Sequence, residues 1–201
     1  MKIGVLGGTF DPVHLGHIAV AEEARTSLGL SDVILVPAGQ PLLKPNRPIT
    51  SAGHRLQMLR LAVADKPNFK VSTMEIERPG PSYTVDTIAE LRVQYGSGDE
   101  MYFIMGWGSL GQLPEWREPS RLISMCYLVA VPRPGWPRPD LEALEDSIPG
   151  ISQRVVLLDK PQIDISASAI RERAARGLSL RHLVPDAVAE YIREHKLYST
   201  R

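Results

Sequence analysis

The chain has 201 residues, enough to bury a sizeable core, with hydrophobic and charged fractions of 43% and 23% that are ordinary for a globular fold. Lys plus Arg and Asp plus Glu balance at 23 each, so no global field favours nucleic acid or an anionic membrane, and any anionic ligand must be held by a local cluster. No run approaches the roughly 18 apolar residues of a membrane span, MKIGVLGG reaches glycine before a signal-length apolar stretch develops, and the single cysteine, Cys126, has no partner for an internal disulfide, so a cytoplasmic protein is the simplest expectation.

Short β-like runs alternate with helical ones along the chain. Residues 2–7 read as a buried strand, and residues 17–30 as a helix with Ile18, Ala21 and Leu28 near one face and Gly29 suited to its C-cap. Residues 32–38 form the second strand, and residues 52–66 a helix with Ser51 as N-cap. The alternation in FKVSTMEIE predicts a strand over residues 69–77, followed by a helix over residues 84–96 that starts near Ser82 or Thr84. Three further buried strands follow at residues 101–106, 126–132 and 154–159, with Cys126 as core. Helices over residues 166–177 and 185–196 close the chain.

This order predicts an α/β fold, with a Rossmann-like, doubly wound, mostly parallel sheet covered by helices on both faces and a C-terminal helical segment. The Pro-rich segments 37–48 and 132–140 read as ordered surface loops. Neither repeats nor low-complexity linkers divide the sequence, so residues 1–201 are expected to form one domain. In open parallel sheets, ligands bind outside the carboxyl ends of the strands. GGTFDP, PAGQP, MGWGSL and ISAS all follow strand candidates, and therefore converge on one edge.

The densest of these stretches is GGTFDPVHLGH, residues 7–17. Gly7 and Gly8 let the backbone turn and approach a ligand closely, Thr9 adds a hydroxyl, and Pro12 breaks regular pairing. GGTFDP then reads as a loop between strand and helix, with Asp11 bonding its own turn. His14 and His17, at i and i+3, fall on one face near a helix N-terminus, and Gly16 keeps the space between them open. Imidazole N–H groups beside a helix N-terminus suit phosphate oxygens. The adjacent glycines do not make the dinucleotide fingerprint G-x-G-x-x-G, which disfavours a hydride-transferring dehydrogenase. A zinc site would need further ligands that the sequence does not group with these histidines, and no metal ligands are assigned.

GGTFDPVHLGH resembles the first signature of the nucleotidyltransferase superfamily with an H-x-G-H motif, and ISASAIR, residues 165–171, resembles its second. Ser166 and Ser168 can cap a helix there, with Arg171 one turn in, as a polyphosphate grip would require. PAGQPLLK ending at Lys44, HRLQML from His54, PSYTVDT at 81–87, LPEW ending at Trp116 and VPRPG at 131–135 extend the likeness over nearly the whole chain. Within the superfamily, these pieces resemble the bacterial nicotinate-nucleotide adenylyltransferases.

The resemblance implies adenylyl transfer from ATP to nicotinate mononucleotide, with in-line attack at the α-phosphorus, no covalent enzyme intermediate, and Mg²⁺ held mainly by ATP phosphates. Related enzymes use nicotinamide mononucleotide or phosphopantetheine as acceptor. By position, the catalytic group would be His14, His17 and Arg171. Gly7, Gly8, Thr9, Phe10, Lys44, Gly106, Arg133, Ser166 and Ser168 would bind ATP and its phosphates. Ser82, Tyr83, Thr84 and Trp116 would bind the mononucleotide. The resemblance implies no nucleic acid or membrane partner and is compatible with a homo-oligomer.

One stretch departs from the family pattern. After residues 101–106 the family has G-x-D, whereas this chain has Gly106, Trp107 and Gly108. The family carboxylate bonds the ribose hydroxyls of the adenylate moiety, and losing a charged hydrogen bond costs about 1.5–3 kcal/mol. Weakened ATP binding, compensation elsewhere through Trp107, and altered chemistry are the three expectations this raises, and an ATP-binding protein with weakened turnover is the corresponding alternative function.

Overall fold

The computed structural model describes residues 1–40, 48–96 and 98–199. Six parallel strands lie among them in the order β3-β2-β1-β4-β5-β6. They are β1 (Lys2–Gly8), β2 (Asp32–Pro37), β3 (Phe69–Val71), β4 (Glu100–Gly106), β5 (Tyr127–Val131) and β6 (Val155–Leu157). The chain first winds outward through β1, β2 and β3, then returns to place β4 on the other side of β1. A crevice therefore opens between the carboxyl ends of β1 and β4, where the winding reverses, the usual ligand position in such sheets.

The central strands are apolar on both faces because both are covered. In β2, Val33 and Leu35 join one core while Ile34 and Val36 join the other; in β4, Tyr102 and Ile104 oppose Met101, Phe103 and Met105 in the same way. This is the period-two alternation of a strand, with no polar side left over. The first face is closed by α1 (Leu15–Leu28), α2 (Ala52–Ala62), α8 (Ala167–Ala175) and α9 (Asp186–Glu194), through Ile18, Met58, Leu59, Ile170, Val188 and Ile192. The second is closed by α4 (Thr84–Tyr95), α6 (Pro119–Met125) and α7 (Leu141–Ser147), through Val85, Ile88, Leu91, Leu122, Ile123 and Leu144. Cys126 lies in this second core, and burial pushes its thiol up to about 12, so it is inert packing.

Several local expectations need correction. Gly7 and Gly8 belong to β1 and not to a loop, because β2 runs alongside and Ala38 still donates its N–H to the Gly8 carbonyl. The strand expected over residues 69–77 stops at Val71, and residues Met74–Glu77 form the short helix α3. The chain turns there into α3, whose Glu75 carbonyl packs so closely on the backbone after β2 that a Cβ on Gly39 would lie 2.0 Å from its oxygen. Ser51 sits at the N-cap of α2 without a side-chain capping bond, whereas α4 starts at Thr84 as expected, with Tyr83 as its N-cap. Gly29 does cap α1, in the left-handed conformation at φ 64°. Short helices at α5 (Trp107–Gly111), α6 and α7 fill stretches with no assigned element.

Candidate active site

The turn after β1 is held from several directions. Phe10 takes a left-handed backbone conformation, φ 49°, and buries its ring against the edge of the His17 ring at 4.9 Å. Asp11 is buried, and its carboxylate accepts a 2.7 Å bond from the Tyr198 hydroxyl of the C-terminal segment and a longer one from the Thr50 backbone N–H. It does not simply close its own turn. Arg55, on α2, is 2% exposed and donates to the carbonyls of Thr9, at 2.8 Å, and Thr50, at 2.9 Å. Burial lowers its pKa, and the Asp11 charge opposes that shift. Arg171 of α8 donates 2.7 Å to the Asp11 carbonyl and 2.8 Å to Ser168 Oγ. One buried turn thus ties together α2, α8 and the C-terminal segment.

On this base stand the two histidines. His14 is the N-cap of α1, and Leu183 accepts the N–H of Leu15 in the first turn. The His14 backbone N–H donates to His17 Nδ1 at 3.2 Å. That bond requires an unprotonated Nδ1, so the ring carries its proton on Nε2. The two imidazoles stack with centroids 3.7 Å apart. A Cβ on Gly16 would come within 3.0 Å of His14 Nδ1, so glycine here is what admits the stack. His14 is 7% exposed, and burial, aided by the Arg133 charge, lowers its pKa to about 4. It is therefore neutral at pH 7 and can donate a hydrogen bond without bringing a charge.

Both rings line a groove of about 470 Å³ at the crevice between β1 and β4. Gly7, Gly106, Gly108, Trp116, Arg133, Ser166 and Ser168 line the same groove. Ser166 is the N-cap of α8 and accepts the Ala169 N–H, so the start of α8 faces the start of α1. No carboxylate is among the described lining residues, while His14, His17 and Arg133 are. Two helix N-termini, two imidazoles and a guanidinium around one cleft form a site for a polyanion. Among the described residues, no group of three or more His, Cys, Asp or Glu is placed to hold a metal ion.

Other expected residues fall elsewhere. Thr9 meets Arg55 through its carbonyl, and the Phe10 ring packs behind His17 instead of facing the groove. Gly8 is paired to Pro37 in the sheet. Ser82 Oγ accepts the Gly39 N–H and its own N–H bonds the Gln40 carbonyl, latching the chain after β2 to the start of α4. Arg117 lies over the Tyr83 ring at 4.6 Å. Ser82, Tyr83 and Thr84 are thus outside the described groove lining, and Trp116 alone of the expected mononucleotide set is in it. Lys44 lies outside the described residues. Trp107 packs against the second core with Arg138 over its ring, also outside the lining, so it does not fill the space beside Gly108.

Sequence reasoning missed Arg55 and Tyr198. Arg55 lies inside the HRLQML string and could have been singled out as a charge on the apolar side of α2; Tyr198 carries no local signal at all. It also missed Glu75, a buried carboxylate that accepts the Thr87 hydroxyl at 2.5 Å and whose pKa is raised by burial.

The cytidylyltransferase-like family profile matches residues 5–173. The chain is 48% identical over 198 residues to the probable nicotinate-nucleotide adenylyltransferase of Dehalococcoides mccartyi, covering 98% of this chain and 97% of that one. It is 46% identical over 199 residues to the protein of the same name from Thermomicrobium roseum, covering 99% and 92%. In fold, it is similar to the Plasmodium falciparum nicotinic acid mononucleotide adenylyltransferase complexed with NaAD, with a TM-score of 0.79, 17% identity, and coverage of 98% and 97%. This chain belongs to the cytidylyltransferase-like family of nucleotidyltransferases, among the nicotinate-nucleotide adenylyltransferases.

Proposed function

We propose that the protein transfers the adenylyl group of ATP to nicotinate mononucleotide, giving nicotinate adenine dinucleotide and pyrophosphate. The observation that carries this reading is the pair of stacked imidazoles at the N-terminus of α1, set across one groove from the N-terminus of α8.

The acceptor phosphate oxygen attacks the α-phosphorus in line, an O–P bond forms, the bond to the β-phosphate oxygen breaks, and its electrons leave with pyrophosphate. No residue need become covalently attached, so the chain acts by positioning and by stabilising charge. His17 donates its Nε2–H to an α-phosphate oxygen as charge develops there, held in that tautomer by the His14 backbone. Neutral His14 backs it and donates beside it. Ser166, Ser168 and Arg133 receive the β- and γ-phosphates, and Arg171 positions Ser168 through its hydroxyl. Trp116 offers its ring to the pyridine. A Mg²⁺ ion fits this lining as one carried in on the triphosphate, since Mg²⁺ keeps several waters and needs few protein ligands. When bound, it neutralises phosphate charge.

The test is pyrophosphate release from Mg-ATP with nicotinate mononucleotide, nicotinamide mononucleotide and phosphopantetheine offered separately. Release with the first and little with the others is expected. Preference for either alternative acceptor would overturn the assignment of substrate.

A further inference from the structure

Position 108, where the family pattern has a carboxylate and this chain has glycine, is covered. A Cβ added to Gly108 would lie 2.7 Å from two atoms of the Trp136 indole and 3.0 Å from a third. No side chain could stand there while Trp136 keeps its place. The ring therefore rests on bare backbone, yet it remains 46% exposed, one of the few large apolar side chains so open among the described residues.

Its placement is built into the chain. The Trp136 N–H donates to the Arg133 carbonyl at 3.1 Å, closing a four-residue turn. Pro134 occupies the second position of that turn and Gly135, at φ 83°, the third, the residues a type II turn demands. The turn carries groove residues at both ends, Arg133 and Trp136. Trp136 follows β5 and lines the same groove as Ile163, Ser166 and Ser168. Trp116, the other groove tryptophan, instead packs edge-on to Phe103 at 6.2 Å, toward the α4 side.

We propose that Trp136, seated on Gly108 and aimed by the Arg133–Trp136 turn, is the stacking wall for the purine of the donor nucleotide. Gly108 thereby serves the donor by making room for an aromatic ring and not by offering a polar group to the sugar. This rests on the reading that the α8 side of the groove receives the ATP phosphates. A half-exposed indole with one face packed and pre-set by a turn can stack on a base at little ordering cost.

The experiment measures binding of Mg-ATP and of Mg-tripolyphosphate by calorimetry, with wild type, W136A, W136F, G108A and the G108A/W136A double variant. Loss of one base stack should weaken Mg-ATP about 5- to 150-fold in W136A. Tripolyphosphate, which has no base, should bind unchanged, and W136F should retain most of the ATP affinity. G108A should also weaken ATP by displacing the ring, and should add nothing once Trp136 is gone. Unchanged ATP binding in W136A, parallel loss of ATP and tripolyphosphate, or additive G108A and W136A effects would each overturn the stacking wall. Wild type that binds tripolyphosphate but gains nothing from adenosine overturns it too. Wild type that binds neither would instead overturn the phosphate reading beneath it.

Discussion

The two walls of the groove are built on opposite principles. The histidine wall is buried and cross-tied: Arg55, Arg171 and Tyr198 reach the turn around Asp11 from three distant parts of the chain. The Trp136 wall is a tight turn with an exposed ring resting on glycine. Where charge must be met at a fixed point, a small displacement costs rate steeply, and the fold invests buried charged hydrogen bonds. Where a flat ring is to be received, stacking tolerates sliding, and one pre-set side chain suffices. The contrast explains why an unusual residue is accommodated at position 108 while the Asp11 hub is dense with long-range bonds.

The largest expected break in this comparison is His17→Ala. It should lower kcat by about 10²–10³-fold, the scale for losing one donor to developing charge, with little change in KM for ATP. Steady-state kinetics would check it, and a loss confined to KM would place His17 in ground-state binding alone.

Next is Arg55→Met, which leaves the Thr9 and Thr50 carbonyls without their donor and removes the buried positive charge that Asp11 favours. A cost of about 3–5 kcal/mol is expected, read as a lower urea midpoint, with activity falling even in the folded fraction because the turn under the histidines loses its brace. An equal change at the exposed Arg193, ion-paired to Glu190, should stay within about 1 kcal/mol.

A pH-dependent effect sharpens the account of burial. The His14 pKa is about 4 in the fold against an ordinary 6.5, so between these values the unfolded chain binds a proton that the native state refuses. Stability from this group is full above pH 6.5 and is lost as pH falls toward 4, at up to about 1.4 kcal/mol per pH unit. Denaturation of wild type and H14Q across that range should converge as pH falls. Parallel curves would mean that His14 is protonated in the native state.

Much of this architecture is written in the sequence. β1, β2, β4 and β5 are continuous apolar runs because both faces are covered, and such runs are readable without knowing the neighbours. FKVSTMEIE is not, because after Val71 it turns into a helix whose Glu75 carbonyl packs against Gly39, a contact made across the fold. The helix at Trp107–Gly111 is too short and glycine-rich to show a helical period. In the site, His14, His17, Ser166 and Ser168 are legible because the chemistry demands particular residue types at fixed local spacing. Ser82 is legible as special but not in role, since its partners at Gly39 and Gln40 come from another element. Tyr198 is invisible for the same reason, its bond to Asp11 spanning 187 positions.

The most direct measurement follows the α-phosphorus. With ATP labelled at the α-phosphate and nicotinate mononucleotide as acceptor, the label should appear in the dinucleotide while unlabelled pyrophosphate is released. Label recovered in AMP or ADP, with no dinucleotide formed, would contradict adenylyl transfer by this site.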